Sequence, residues 1–393
     1  MSDSELNQRF GRFVETAVAG ETVRAFVPPP LPPMPAIDVL SLLERLSLAE
    51  RALGRLDGIT MLLPRQELFL YMYVRKEAVL SSQIEGTQST LSDLLRFETE
   101  AQAGQPIDDI REVSNYVDAM MYGLERLESL PMSLRLIREM HARLLQSGRG
   151  GTKNPGEFRR SQNWIGGTRP GNALFVPPPV TEMDTCLDAL EGFMHEDRSR
   201  LPALIKAGLL QVQFETIHPF LDGNGRIGRL LVTLYLCMNG VLRKPLLYLS
   251  LYLKTHRTEY YRLLQEVREH GSWEGWLDFF LAGVADTANQ AFDAATRIVE
   301  VFKEDRERIT TESDRAGSAL RIHDLFQQNP FLTANQLVQK TGLSAPTVNA
   351  ALTDLERFGI VEEVTGRKRG RVFSYRRYLA ILSEGTDPLP AAV

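Results

Sequence analysis

Twelve consecutive residues near the middle of the chain combine chemically active side chains with turn-forming glycines. They are His218-Pro219-Phe220-Leu221-Asp222-Gly223-Asn224-Gly225-Arg226-Ile227-Gly228-Arg229. An imidazole titrates at roughly pH 6.5 and can accept a proton from a hydroxyl group. A carboxylate is a hard ligand that suits Mg²⁺, and guanidinium groups bind phosphate oxygens. Together these side chains predict nucleotidyl or phosphoryl transfer.

The residues on either side of this segment predict a corner between two helices. The apolar run 201–214 is typical of a helix, with Ser199 as its N-cap and Pro202 in its first turn. This helix must end near His218, because a residue that precedes a proline avoids the helical conformation. A second helix is then expected from about Arg226 onward.

The turn between these two helices would bind an anion. Gly223, Asn224 and Gly225 tolerate left-handed backbone conformations. The first N–H groups of the following helix lack helical partners, and the helix dipole favours negative charge there. Arg226 and Arg229 lie three residues apart, so both can neutralise a phosphate group at that end of the helix. The predicted occupant is a polyphosphate.

Each part of the segment also has an ordinary interpretation. A histidine before a proline is common in turns, and Asp-Gly-Asn-Gly occurs in surface turns and in calcium loops. Two arginines three residues apart commonly form a solvated helix face. The combination favours the chemical interpretation, because every residue type has a role in one mechanism.

The segment resembles the motif of the Fic family, His-x-Phe-x-(Asp/Glu)-Gly-Asn-Gly-Arg-x-x-Arg, at every specified position. The resemblance implies a mainly α-helical Fic domain that transfers AMP from ATP to a hydroxyl side chain of a target protein or of itself. It also implies a role for each motif residue. These are His218 as general base, Phe220 as the anchor of the loop, Asp222 as the ligand of Mg²⁺ or Mn²⁺, Gly223, Asn224 and Gly225 as the phosphate site, Arg226 as a phosphate contact and Arg229 as the contact of the γ-phosphate.

A second segment of interest, 81–86, ends a predicted helix well before the motif. Gly86 is expected to terminate this helix in a left-handed conformation, so Glu85 would lie at the negative end of the helix dipole. The segment resembles the Fic inhibitory pattern (Ser/Thr)-x-x-x-Glu-(Gly/Asn), with Ser81 at its first position. That resemblance implies that Glu85 pairs with Arg229 and takes the place of the γ-phosphate. The alternative is a solvent-facing glutamate beside a helix cap.

Residues 157–179 contain short apolar pieces separated by Gly-Gly and Pro-Gly-Asn, which predict a β-hairpin. The hairpin resembles the Fic flap, which holds a target segment in extended form by strand pairing. A purely structural hairpin is the alternative. The residues expected to contact a target are Thr168, Leu174, Phe175 and Val176.

The C-terminal part of the chain resembles a winged helix-turn-helix. Helices are expected at 319–328, 334–339 and 345–357, and two strands at 360–364 and 371–375 flank a basic tip. Asp354 and Glu356 lie on the third helix and oppose phosphate binding, so DNA binding and protein contact both stay open. The possible DNA contacts are Thr347, Asn349, Arg367, Lys368 and Arg369.

The chain has 393 residues and a net charge of −5, which does not favour attraction of the whole chain to nucleic acid or to membranes. Its two cysteines, Cys186 and Cys237, lie in apolar helical patterns and suggest neither a disulfide framework nor a cysteine zinc site. No signal peptide or membrane-spanning run is evident. We therefore expect a cytoplasmic protein, and the family resemblance implies a homodimer.

The sequence predicts five regions. They are a proline-rich arm at 1–36, a helical region with the inhibitory helix at 37–105, the Fic domain at 106–312, the winged helix-turn-helix at 317–382 and a tail at 383–393. The arm is expected to pack on its own domain, although a polyproline ligand for a partner is an alternative.

Two other functions are compatible with the same residues. One is the reverse reaction, in which Glu85 positions water to remove AMP from a modified protein. The other is a DNA-binding regulator or toxin-type protein that acts through the winged helix.

Overall fold

The computed structural model describes residues 9–60, 66–99, 108–148, 150–196, 200–367 and 369–389. Ser199, the predicted N-cap, and Lys368, a possible DNA contact, lie outside these ranges. The described residues form a mainly helical molecule, as predicted, with two small antiparallel sheets.

A β-hairpin in the first region was not predicted from the sequence. Strands β1 (Arg12–Val18) and β2 (Glu21–Val27) pair antiparallel, and Ala19 and Gly20 form the turn in left-handed conformations. Both strands are rich in β-branched and aromatic residues on either side of the Ala19-Gly20 turn, which is the signal that could have identified the hairpin. The described part of the arm therefore contains a hairpin before its prolines.

Helices form the central part of the molecule. The first five helices are α1 (Leu43–Thr60), α2 (Gln66–Ile84), α3 (Leu91–Thr99), α4 (Asp108–Arg126) and α5 (Leu134–Leu144). The next six are α6 (Val180–Met194), α7 (Ala203–Ile217), α8 (Asn224–Met238), α9 (Ser250–Thr255), α10 (Arg257–His270) and α11 (Trp273–Glu312).

Helix α7 lies at the centre of the core. It is buried around its whole circumference from Leu204 to Ile217, which is typical of a helix enclosed by others. Trp276 of α11 is fully buried and donates a hydrogen bond to the Gly208 carbonyl at 2.8 Å. The helix begins at Ala203, so Pro202 is its N-cap and not a residue of its first turn.

The winged helix follows α11, which at 40 residues is about 60 Å long. Its elements are α12 (Ala316–Gln328), β3 (Phe331–Thr333), α13 (Ala334–Thr341), α14 (Ala345–Arg357), β4 (Val361–Glu363), β5 (Val372–Tyr375) and α15 (Arg376–Ser383). The sheet order is β3-β5-β4 and all pairs are antiparallel. Thr333 and Ser344 cap α13 and α14 with their side chains.

Within the ranges that the structure describes, no helix is both long enough and apolar enough to cross a membrane.

Candidate functional site

His218 ends α7 in a left-handed backbone conformation, with φ 50° and ψ 58°. Such a conformation costs a non-glycine residue on the order of 1 kcal/mol, so the surroundings must hold it. Its carbonyl accepts hydrogen bonds from Arg159 Nε at 3.1 Å and from Asn163 Nδ2 at 3.4 Å. These contacts fix the direction in which the imidazole leaves the chain.

The imidazole of His218 is arranged as a proton acceptor. Its Nδ1 lies 3.3 Å from the Glu215 carbonyl, where only an N–H group makes a favourable contact. The proton of the neutral ring therefore lies on Nδ1, and Nε2 has no hydrogen-bond partner among the residues that the structure describes. Burial, aided by the charge of Arg268, lowers the pKa of His218 to about 4. At neutral pH the ring is uncharged and Nε2 can take a proton.

The loop after His218 is anchored by Phe220, which is fully buried. Its ring stacks on His141, with ring centroids 3.6 Å apart and an angle of 5° between the planes. Asn224 closes the loop by accepting a hydrogen bond from the Phe220 N–H and donating one to the Phe220 carbonyl, both at 2.8 Å. The Asn224 side chain therefore holds the loop together and does not point toward a ligand.

His141 was not identified from the sequence, although it supports the loop from helix α5. Its Nδ1 accepts a hydrogen bond from the Gly156 N–H at 2.9 Å, so its Nε2 carries the proton and donates to the Asp222 carbonyl at 3.0 Å. Burial lowers the pKa of His141 to about 4, which favours this neutral form. A single histidine in an amphipathic helix has no local pattern that would reveal this role.

Asp222 lies at the edge of the site with about a third of its side chain accessible. Its Oδ1 accepts a hydrogen bond from the Gly223 N–H at 2.6 Å and lies 3.4 Å from Arg226 Nη2. Gly150 packs against its Oδ2, where a Cβ atom would approach to 2.5 Å. No cluster of three or more His, Cys, Asp or Glu side chains suited to a metal occurs among the described residues.

Arg226 is buried and only loosely paired. Its Nη1 lies 3.6 Å from Glu112 Oε2, and its Nη2 lies 3.4 Å from Asp222 Oδ1. Within the described parts of the chain, Nε and Nη1 make no hydrogen bond. Buried N–H groups normally have partners, so this guanidinium retains donors for an additional acceptor. Glu112 was not identified as a site residue from the sequence.

Arg229 is equally buried, but the end of α2 supplies its partners. Its Nε donates to Ser81 Oγ at 2.8 Å, and its Nη2 donates to the Ser81 carbonyl at 3.1 Å and to Glu85 Oε1 at 2.8 Å. Gly86 terminates the segment with a φ of +97°. The structure therefore brings together the residues of the predicted inhibitory pattern and the second motif arginine.

The Glu85 carboxylate also lies against the start of α8. A Cβ atom at Gly225 would overlap Glu85 Oε1 and would approach Arg229 Nη1 to 2.9 Å. Burial alone would raise the pKa of Glu85, but the charge and hydrogen bond of Arg229 hold this pKa below its usual value. An anion thus occupies part of the predicted phosphate site, and that anion belongs to the protein.

The predicted flap differs from a regular hairpin. Its only strand-like pairing within the described residues is one antiparallel bridge between Ile165 and Phe175, and a short 3₁₀ turn at Pro170–Asn172 lies between these two residues. Gly166 and Gly167 both have positive φ, and Pro170 has no N–H group, so a longer ladder cannot form.

The four predicted flap contacts separate into two groups. Thr168 is exposed, and Leu174 is 78% exposed. Phe175 and Val176 are buried, because Phe175 lies beneath the Arg268 guanidinium and the Val176 carbonyl pairs with the Phe26 N–H of β2. Only Thr168 and Leu174 present side chains that a target could reach.

The winged helix places its basic residues at the surface. Arg367 and Arg369 are exposed at the tip of the wing, and Arg371 Nη2 donates to the exposed Asn349 at 3.1 Å. Thr347 is half-buried and shares a hydrogen bond with the N-cap Ser344 at 2.8 Å. These residues belong to the domain that follows α11, which is separated in sequence from the twelve-residue motif.

Asp354 does not oppose phosphate binding as the sequence analysis expected. Its side chain is mostly buried and accepts a hydrogen bond from Ser313 Oγ at 2.9 Å, and Arg357 lies 3.4 Å from it. Its charge therefore faces the segment that joins the winged helix to α11.

Three family models match the chain. Residues 43–125 match the Fic/DOC family N-terminal region, residues 131–236 match the Fic/DOC family, and residues 317–362 match a winged helix-turn-helix DNA-binding domain. The inhibitory segment lies in the first match and the twelve-residue motif lies in the second.

Two relatives are each named protein adenylyltransferase Fic. The protein from Drosophila grimshawi is 30% identical over 214 residues, which cover 53% of this chain and 40% of that protein. The protein from Aedes aegypti is 30% identical over 255 residues, which cover 64% of this chain and 46% of that protein. This chain therefore spans less than half the length of these relatives.

A crystal structure of a Fic family protein from Desulfovibrio desulfuricans G20 has a similar fold. Its TM-score is 0.56 at 20% identity, and the match covers 85% of this chain and 95% of the other. The helical fold, the motif and the family matches agree with one another. Residues 43–125 and 131–236 of this chain are therefore similar to the two parts of the Fic/DOC family, and residues 317–362 are similar to a winged helix-turn-helix DNA-binding domain.

Proposed function

We propose that this protein transfers AMP from ATP to a hydroxyl side chain of a target protein. The observation that carries the proposal is the free Nε2 of His218 before the loop, together with the N–H groups of Arg226, in the first turn of α8, that make no hydrogen bond to any described residue. A base without a competing hydrogen bond can accept a proton, and guanidinium donors bind phosphate strongly. The names of the two relatives support the same reaction.

In the proposed reaction, the target hydroxyl oxygen attacks the α-phosphorus of ATP while Nε2 of His218 takes the hydroxyl proton. A bond forms between that oxygen and the α-phosphorus, and the bond from the α-phosphorus to the oxygen shared with the β-phosphate breaks. The products are the AMP-modified protein and pyrophosphate. Arg226 and the first N–H groups of α8 would hold the phosphates, so positioning and charge neutralisation supply most of the rate.

Asp222 would hold Mg²⁺ or Mn²⁺ in this proposal. Its carboxylate is partly accessible beside the phosphate site, and Mg²⁺ prefers one or two carboxylates together with phosphate oxygens. When bound, such an ion would neutralise part of the phosphate charge.

Glu85 keeps the protein inhibited in the same proposal. Its carboxylate is hydrogen-bonded to Arg229, the group that the γ-phosphate would need. Two anions cannot both occupy this position without strong repulsion, because both would have to contact the same buried guanidinium of Arg229. Productive binding of ATP would therefore require the end of α2 to move.

The proposal is tested by incubating the purified full chain with radiolabelled ATP and measuring self-modification. We expect Glu85→Gly to raise labelling. We expect the double variant, in which His218→Ala is added to Glu85→Gly, to show no labelling. Glu128→Gly is a matched control, because Glu128 is exposed in the turn after α4. Equal labelling of the wild type, Glu85→Gly and the double variant would refute the assignment.

The reverse reaction, removal of AMP from a modified protein, would use the same site. The names of the relatives favour transfer. Release of AMP by the wild type from a protein modified beforehand, with no release by Glu85→Gly, would support the reverse reaction instead.

The exposed part of the flap is the proposed docking site for the target. Leu174 and Thr168 are exposed in the segment that follows Arg159 and Asn163, which contact the His218 carbonyl, and the neighbouring Val176 is held by β2. Leu174→Asp should therefore weaken labelling of a target protein more than it weakens binding of ATP.

The winged helix adds a proposed DNA-binding activity, which its family match and its exposed basic wing support. Binding to duplex DNA from the gene's own promoter would weaken as salt rises. The double variant Arg367→Ala, Arg369→Ala should bind less tightly and with a smaller dependence on salt. Arg160→Ala is a control, because that arginine is exposed on the Fic region. Equal binding by all three proteins would contradict DNA recognition by the wing.

A further inference from the structure

The segment that follows α15 contacts the inhibitory end of α2. Three consecutive residues, 385–387, direct their backbone carbonyl groups toward side chains of the Fic region. We call this segment the tail latch. It is separated by roughly 300 positions in the chain from Gln83, which one of these carbonyls contacts.

Gln83 lies between Ser81 and Glu85, so it belongs to the same turn of chain that holds Arg229. Its side chain is 1% exposed. Its Nε2 donates to the Ser89 carbonyl at 2.9 Å and to the Thr386 carbonyl of the tail latch at 2.8 Å. Both amide protons are therefore used, and one of them depends on the latch.

Lys254 of α9 is the second contact. Its ammonium group donates to Gln83 Oε1 at 2.7 Å, to the Gly385 carbonyl at 3.0 Å and to the Asp387 carbonyl. An ammonium group has three donors, and all three are used. Lys254 is mostly buried, so loss of the latch would leave a buried cation with one remaining partner.

The backbone of the latch is closely packed. Gly385 has a φ of +77°, and a Cβ atom there would approach Leu251 Cδ1 of α9 to 2.7 Å. Immediately before it, Glu384 makes two hydrogen bonds with Arg297 of α11, at 2.6 and 2.9 Å. The latch is therefore a fitted contact and not a loose end of the chain.

The latch is connected directly to the winged helix. Helix α15 begins at the residue after strand β5, without a linker, and Tyr378 packs beside Tyr375 of that strand with ring centroids 5.8 Å apart. Helix α15 also packs on α2 and α3. A movement of the winged helix would therefore pull on the latch.

We propose that the tail latch holds the inhibitory end of α2 in place, so that the winged helix controls access to the phosphate site. When the latch leaves, Gln83 and Lys254 lose partners, and the end of α2 gains freedom to withdraw Glu85 from Arg229. This inference rests on the proposed AMP transfer and on the proposed inhibition by Glu85.

The first test is Lys254→Met in the full chain, which removes the charge at similar length. We expect self-labelling to rise roughly twofold to tenfold above the wild type, in the range expected when hydrogen bonds that favour one state are lost. Gly385→Val is a second, independent variant, because a side chain there would collide with Leu251. Neither variant should increase labelling when Glu85→Gly is already present.

Arg306→Met is the matched control, because Arg306 pairs with Asp324 at the surface near the winged helix and does not touch the latch. Labelling should stay at the wild-type level in this variant. If Glu85→Gly is active but both latch variants behave like the control, the latch has no regulatory role.

Hydrogen exchange of the amides at 81–87 tests the latch without any use of activity. We expect exchange in this segment to be faster in Lys254→Met and Gly385→Val than in the wild type and Arg306→Met. Unchanged exchange in both latch variants would overturn the inference even if AMP transfer is established. Faster exchange in both latch variants, together with no labelling by Glu85→Gly, would support the latch and refute the proposed AMP transfer.

Discussion

The two arginines of the motif lie one helical turn apart and are equally buried, yet their surroundings differ. Arg229 makes three hydrogen bonds, all to Ser81 and Glu85 at the end of α2. Arg226 faces Glu112 and Asp222 at 3.4 to 3.6 Å, and its Nε and Nη1 make no hydrogen bond to any described residue. One end of the site is filled by the protein, and the other end still has donors.

This difference shows that the N-terminal turns of α8 combine two situations. Arg226 still has donors for a ligand, whereas the donors of Arg229 are occupied by Ser81 and Glu85. The contacts of Arg226 come from elements that also build the core, so that end is fixed. The contacts of Arg229 come from the last residues of one helix, where few interactions need to change for release. The contact between Glu85 and Arg229, which we propose to be inhibitory, can therefore be removed without loss of the other contacts of the site.

The largest expected effect is that of Arg226→Met in the Glu85→Gly background. We expect labelling to fall about a hundredfold, because one strong donor to developing charge is commonly worth that factor. The rate of labelling and the thermal stability should both be measured. Arg160→Met, which changes an exposed arginine, should leave the rate unchanged. A rate within about twofold of the background would mean that Arg226 does not hold phosphate.

A smaller effect is expected from Ser81→Ala in the wild-type chain. The change removes the hydroxyl that accepts from Arg229 Nε but leaves Glu85 in place. Labelling should rise about twofold to tenfold, because one hydrogen bond to a charged group is lost from the inhibited state. Ser92→Ala, at a half-buried position of α3, is the control. A fall in labelling would show that Ser81 serves the active state instead.

The smallest effect is expected from pH. Burial lowers the pKa of His218 to about 4, and removal of Glu85, whose charge favours the protonated ring, would lower this pKa further. The base is therefore already deprotonated at pH 6, so labelling by Glu85→Gly should change less than about twofold between pH 6 and pH 8. A half-maximal rate near pH 6.5 would indicate a solvated imidazole and contradict the buried geometry.

Local patterns in the sequence predicted most of the site. The motif is contiguous, so its helix-turn-helix corner follows from Pro219, the glycines and the flanking apolar runs. The pairing of Glu85 with Arg229 was implied by family resemblance and not by spacing, since 144 positions separate them. His141, Arg159 and Glu112 were missed, because each is an isolated polar residue whose role depends on a distant partner.

Two strand regions show the limits of local sequence patterns. One region was not predicted to form strands and forms a hairpin, whereas the other was predicted to form a hairpin and does not form a regular one. The β1–β2 hairpin forms from two segments that are rich in β-branched and aromatic residues but lack a clear alternation of apolar and polar residues. The flap was expected to form a hairpin, but its glycines and Pro170 reduce it to a single bridge in the described structure. The same glycines and proline that led to the prediction of a hairpin therefore prevent a longer strand ladder.

The order of side chains along the chain determined which chemistry is present: a base, a carboxylate, a glycine turn and two guanidinium groups on one helix corner. Only the tertiary structure decided the state of that chemistry. Burial set the protonation of His218, and packing of α2 against α8 gave Arg229 its partners. These properties depend on dielectric surroundings and on contacts between distant segments, which a short sequence pattern does not contain.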